Sequence, residues 1–120
     1  LICNTFKDGI DINTQNTNGN TTLMLAVKST NIEVIQLICN TCKDSIDINI
    51  QNDNEDTALM LAVQNGNVKA IQLICNKFKN RIDITIENTN GFITTLMFAV
   101  ENASTEVIQL ICDGFNKRKY

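Results

Sequence analysis

With 120 residues, of which 43% are apolar and 19% charged, the chain is large enough to bury one core without metal or disulfide staples and too apolar for a disordered segment. A net charge of −3 with no basic run beyond the terminal "KRKY", which reads as a solvated tail, speaks against a nucleic-acid partner, because such binding needs a basic footprint. No apolar run approaches the roughly 18 residues of a membrane span, and "LICNTFKDG" has neither the charged start nor the long apolar stretch of a secretion signal, so no membrane association and an intracellular, cytoplasmic or nuclear setting are expected.

Residues 1–15 introduce two markers that return along the chain. "LIC" starts at Leu1, Leu37, Leu73 and Leu110, and "IDIN", "IDIN" and "IDIT" start at Ile10, Ile46 and Ile82. A third marker, "TLMLAV", "ALMLAV" and "TLMFAV", starts at Thr22, Ala58 and Thr95 and keeps the same step of 36 or 37 residues. This register divides a single domain over 1–120 into the tail of a truncated unit (1–15), two full units (16–51 and 52–87) and a C-terminally truncated unit (88–120). Starting at Leu1 rather than Met, the chain reads as a fragment of a longer array; its richness in Asn and Ile fits an AT-rich genome.

The first full unit sets the pattern for the others. From Thr21 to Ser29, Leu23, Ala26 and Val27 stand at i, i+3 and i+4, which predicts a short helix. From Ile32 to Cys42, Ile32, Ile35, Ile38, Cys39 and Cys42 form a second helical stripe, widened by Val34 and Leu37 until burial on more than one side is expected. Ile46, Ile48 and Ile50 then alternate with polar residues, and Asn and Asp take over as turn formers, giving an extended finger. Asn18-Gly19 and Asn90-Gly91 mark tight fingertip turns in two copies; Glu55 replaces the glycine in the other, where a different turn is expected. Two short helices cannot cover their own apolar faces, so the units must stack into an all-α solenoid of helix-turn-helix units with β-hairpin-like fingers.

The pair Cys39 and Cys42 forms a CxxC, which raises redox or zinc chemistry. Overlaying the copies points instead to packing. Cys39 shares its slot with Cys3, Cys75 and Cys112, and Cys42 stands where Phe6, Phe78 and Phe115 stand. Zinc would want four ligands, and there is no His and no second CxxC. Stacked cysteines about one helix diameter apart, roughly 10 Å, would lie beyond disulfide reach. No phosphate loop, HExxH or GxSxG element occurs, so no cofactor, small-molecule substrate or enzymatic activity is expected. Glu55 and Asp56 fall on a predicted turn with nothing to desolvate them, and the N-x-S/T triplets at Asn20 and Asn102 read as chance.

"NGNTTLMLA" (18–26), "NEDTALMLA" (54–62) and "NGFITTLMFA" (90–99), with "GIDIN", "SIDIN" and "RIDIT", resemble the ankyrin-repeat signatures "DGxTPLHLA" and "GADVN" over essentially the whole chain. The units are three residues longer than the usual 33 and resemble the lengthened, Asn/Ile-rich repeats of amoeba-infecting giant viruses. The family's Pro is Thr22, Ala58 and Thr95, and its His is Met24, Met60 and Met97; Thr21, Thr57 and Thr94 remain. The Thr–His hydrogen bond is therefore lost, and methionine packing is expected to replace it. The resemblance implies a non-enzymatic scaffold that binds a protein partner through a concave face of fingertips and first helices. Carried over by position, that face comprises Thr17, Asn18, Asn20, Lys28 and Ser29, then Asp53, Asn54, Asp56, Gln64 and Asn65, then Thr89, Asn90, Phe92, Ile93, Glu101 and Asn102.

These positions vary between copies while the stacking positions do not, as a graded binding surface or idle surface drift would both produce. "DNED" (53–56) with Glu87 and Glu101 makes the face acidic and favours a partner with a basic surface; ordinary solvated charge is the alternative. Phe92 is a candidate anchor, and Ile93 either joins it or turns inward onto Leu96. Two competing readings are a structural spacer or adaptor segment in a larger protein and a thiol redox module.

Overall fold

The computed structural model describes residues 11–78, 80–83, 85–89, 105, 108 and 109. It contains helices α1 (Thr22–Ser29), α2 (Ile32–Thr41), α3 (Ala58–Gln64) and α4 (Val68–Phe78), and no strand among the described residues. Within a unit α1 packs on α2 and α3 on α4; between units α1 packs on α3 and α2 on α4. The result is two layers, α1 with α3 and α2 with α4, shared by adjacent units.

Each helix starts where its cap dictates. The Thr21 hydroxyl accepts from the Met24 N–H at 3.3 Å, and the Thr21 N–H donates to the Met24 sulfur at 3.4 Å. Thr57 and Met60 repeat the arrangement at 3.2 and 3.5 Å. This is a capping box in which a thioether stands where Glu or Gln usually serves. The methionines thus do more than the packing expected of them: they satisfy a backbone donor that burial would otherwise orphan. Asn31 and Asn67 cap α2 and α4 through the N–H groups of Val34 and Ala70.

The core between the layers is built from Val27, Ile35, Cys39, Ala62, Val63, Ala70, Ile71 and Ile74, all essentially inaccessible to solvent. Cys42 and Phe78, equivalent by position, are both buried at the end of the second helix, which supports the packing reading of the CxxC. Ile46 and Ile48 point inward while Asp47 is exposed, as the period-two alternation requires.

One expectation about the stripe fails. Val34 and Leu37 are 40% and 63% exposed, and Leu25 is 45% exposed. Their counterparts one unit later, Ala70, Leu73 and Leu61, are covered or partly covered by the unit before them. The apolar positions are the same; α3 and α4 pack against α1 and α2, and among the described residues no helix precedes α1 and α2 to do the same for them.

The turn after α1 carries Thr30 at φ +59°, and Gly66 occupies the equivalent place at φ +64°. Their N–H groups make the same bonds, to the carbonyls of Val27 and Val63. A β-branched residue in the left-handed region costs about 1 kcal/mol or more relative to glycine. Thr30→Gly should therefore raise stability by about 1 kcal/mol in a urea titration. Leu59→Ala, which opens a cavity in the core, should cost about 2–5 kcal/mol, whereas Leu25→Ala should stay within about 0.5 kcal/mol as a surface change.

Candidate functional site

The fingers are organised around one carboxamide each. Asn16 Oδ1 accepts from the N–H groups of Asn18 and Asn20 at 3.0 and 2.9 Å; Asn52 Oδ1 accepts from those of Asn54 and Asp56 at 2.9 and 3.0 Å. Such a side chain mimics a backbone turn and closes the fingertip. The backbone closes it again, through Asn16 N–H to the Asn20 carbonyl and Asn52 N–H to the Asp56 carbonyl, both 2.9 Å.

This geometry corrects the expectation for Glu55. Its φ is +64°, in the same region as Gly19 at +81°, and the Gly19 and Glu55 N–H groups donate to the Asn16 and Asn52 carbonyls alike. The two fingertips are the same turn. The Asn52 scaffold imposes the conformation, and Glu55 accepts its backbone strain.

Neighbouring fingers are joined by amide rungs. Gln15 Nε2 donates to the Gln51 carbonyl, and Gln51 Nε2 to the Glu87 carbonyl, at 2.9 Å each. Asn13 donates to the Ser45 carbonyl and accepts from the Asp47 N–H; Asn49 does the same with Arg81 and Asp83. Deeper in, Asn52 Nδ2 donates to Asn20 Oδ1 at 2.9 Å, and Asn88 Nδ2 to Asp56 Oδ1 at 2.8 Å. At the tips, Asp53 N–H donates to the Asn18 carbonyl and Thr89 N–H to the Asn54 carbonyl. Among the described residues no buried side-chain N or O atom lacks a hydrogen-bond partner.

Against this frame the sixteen expected surface positions separate. Thr17, Asn18, Asp53, Asn54 and Thr89 are exposed along the fingertips, and Lys28, Ser29, Gln64 and Asn65 are exposed at the ends of α1 and α3. Asn65 also donates to the Val27 carbonyl at 3.4 Å, and the Ser29 hydroxyl to that of Ala26 at 2.8 Å. Asn20 and Asp56 do not belong with them: at 3% and 5% exposure, both are enclosed as acceptors of the inter-finger rungs. Asp56 is also not the solvated turn carboxylate expected of it. Asn90, Phe92, Ile93, Glu101 and Asn102 lie outside the described residues. The exposed carboxylates Asp53, Glu55 and Glu87 keep the finger side acidic.

The thiols are placed for packing. Burial raises the Cys39 thiol to about 11 despite the opposing charge of Lys77, and raises Cys75 to about 11 as well. Both are protonated at neutral pH, the opposite of a reactive thiolate. Cys39, Cys42 and Cys75 form no disulfide.

A family model for ankyrin repeats in three copies matches residues 1–88 and 40–120. The chain belongs to the ankyrin-repeat family, whose members generally mediate protein–protein interaction. No curated protein matches it. Among solved structures it is similar to the ankyrin repeat domain of Bcl-3, described as a unique member of the IkappaB protein family, with a TM-score of 0.78 at 21% identity. That match covers 93% of this chain, which spans about half (48%) of the Bcl-3 domain; at this identity the likeness establishes the fold.

Removing the Asn52 carboxamide leaves two loop N–H groups and the buried Asn20 oxygen without their partner. Asn52→Ala should therefore cost about 1–3 kcal/mol, more than Asn16→Ala at its exposed site, in matched urea titrations. Gly19→Ala should also destabilise, since its Cβ would lie 2.7 Å from the Asp53 backbone nitrogen. Glu55→Gly should instead gain about 1 kcal/mol by relieving the left-handed strain. Thiol labelling at neutral pH should be slow at Cys39 and Cys42 until denaturant is added; one fast-reacting thiol in the native fold would contradict the packing assignment.

Proposed function

We propose that the chain is a non-enzymatic scaffold that holds a protein partner with a basic surface on its fingertips and on the exposed ends of the first helices. The observation that carries this reading is the contrast within each finger. The carboxamides Asn16 and Asn52 close their loops and Asn88 recurs at the same position, while the exposed residue after each changes from Thr17 to Asp53 to Thr89. A rigid frame with a variable exposed edge limits the ordering cost of binding, and the rim charges set partner choice and encounter rate. Asp53, Glu55 and Glu87 supply a negative surface for Lys or Arg.

The rest of the reading is consistent with that surface. The protonated thiols of Cys39 and Cys75 are poor nucleophiles for a redox activity and suit a reducing, intracellular compartment. No helix among the described residues is long and apolar enough to cross a membrane.

The test is affinity capture from a host lysate with the parent chain beside a variant carrying Asp53→Lys and Glu55→Lys, both first shown by circular dichroism to fold. A protein retained by the parent, lost by the variant and released by raised salt is the expected result. Equal retention by both would remove the acidic fingertips from recognition, and no specific partner in either arm would favour a spacer or adaptor role.

A further inference from the structure

Asn-Gly pairs stand at 18–19, 65–66 and 90–91, the last outside the described residues. Such a pair is open to loss of the side-chain amide, because no Cβ hinders the glycine nitrogen from closing a five-membered ring onto the preceding carboxamide carbon. The ring closes only after the peptide between the two residues turns, so the fold decides which pair reacts.

The two described pairs are held differently. The 18–19 peptide is tied at both ends: the Gly19 N–H donates to the Asn16 carbonyl at 2.9 Å, and the Asn18 carbonyl accepts from the Asp53 N–H of the next finger at 3.0 Å. Gly19 is buried, and a Cβ there would stand 2.6 Å from Asp53 Oδ1. Turning this peptide would open the joint between two fingers. The 65–66 peptide sits at the end of α3, where Gly66 is exposed and nothing lies within 4 Å of the place a Cβ would take. The Gly66 N–H donates to the Val63 carbonyl at 3.0 Å and the Asn67 N–H to the Ala62 carbonyl at 3.1 Å, bonds confined to the last turn of one helix. Helix ends of this kind open at the lowest cost in a fold. The Asn65 carboxamide is tethered to the Val27 carbonyl at 3.4 Å, longer than the usual range.

We propose that Asn65–Gly66 is the site at which the folded chain deamidates, by ring closure of the Gly66 nitrogen onto the Asn65 carboxamide. A base takes the Gly66 N–H proton, the nitrogen bonds to Asn65 Cγ, and the bond from Cγ to the side-chain nitrogen breaks as ammonia leaves. Water then opens the succinimide at either carbonyl, giving aspartate or isoaspartate, so water enters, ammonia departs and nothing is oxidised or reduced. The product removes the donor to Val27 and puts a negative charge at the C-terminal end of α3, where the helix dipole disfavours it. Isoaspartate also lengthens the main chain within the left-handed turn at Gly66. Only one consequence rests on the scaffold reading: conversion adds to the proposed partner face a charge of the same sign as Asp53, Glu55 and Glu87.

The test follows the 120-residue chain over time at mildly alkaline pH, in buffer and in urea, by digestion, peptide chromatography and mass spectrometry. In buffer, amide loss at Asn65 should run about tenfold ahead of loss at Asn18, the rate difference that one further hydrogen bond supports. Aspartate and isoaspartate should both appear at position 65. In urea the two pairs should react at closely similar rates, since only the local sequence remains. Asn65→Gln, with its fold checked by circular dichroism, should abolish the reaction there and leave that at Asn18 unchanged. Equal or faster loss at Asn18 in buffer, a gap that persists in urea, or aspartate without isoaspartate would overturn the proposal. So would an Asn65 that stays intact in buffer while the urea-unfolded chain reacts. No readout involves a partner, so failure of the capture experiment would leave these rates untouched.

Discussion

The structure depends on one side chain used in two directions. The Asn52 carboxamide accepts from two N–H groups of its own fingertip and donates to Asn20 of the finger before it. A loop with this many polar backbone groups can be partly buried only if each finds a partner, because an orphaned group costs more than a hydrogen bond returns. The carboxamide meets that condition within the finger and also sets the spacing to its neighbour. The helices follow: with the fingers in register, the caps at Thr21 and Thr57 are in register, and α1 meets α3 with matched apolar positions. Stability in such a stack passes from neighbour to neighbour rather than radiating from one core.

Much of the fold was legible because a repeat is its own internal comparison. The period placed the helices to within a residue at most of their ends, and the shared slot of Cys42 and Phe78 identified a packing position before any burial was known. The site was less legible, for a chemical reason. Asn20 and Asp56 differ in charge, so their variation looked like a changing surface, yet both present an Oδ1 to the next finger and both are enclosed. Identity varied while the acceptor function did not. The overlay that sorted the cysteines by slot would have sorted these by function had acceptor capacity been compared in place of residue type.

The other differences arise from context that a single unit does not contain. Leu25 and Leu61 are the same residue in the same helical position, yet Leu25 is exposed while Leu61, on the helix that packs against α1, is buried. Glycine supplies a left-handed residue at Gly19 and Gly66, while Glu55 and Thr30 occupy the matching conformations at a cost. That both adopt the glycine geometry shows the hydrogen-bonded frame prevailing over local preference, as neighbours in a packed array can do.

The same distinction bears on binding. The deeper rungs between the described fingers are made by Asn20, Asn52, Asp56 and Asn88, amides and a short carboxylate held inside, and the exposed residues Thr17, Asp53 and Thr89 can change without disturbing them. Asp53 illustrates this: its backbone N–H ties it to Asn18, while its carboxylate remains exposed. Backbone atoms thus carry the scaffold at the tip, and the side chains stay in solvent, where the proposed partner would meet them. On the proposed scaffold reading, loops already closed by hydrogen bonds would lose little to the entropy of ordering when a partner arrives. Specificity would then be a property of the exposed side chains in sequence along the stack, with Asp53, Glu55 and Glu87 making the fingertip side acidic.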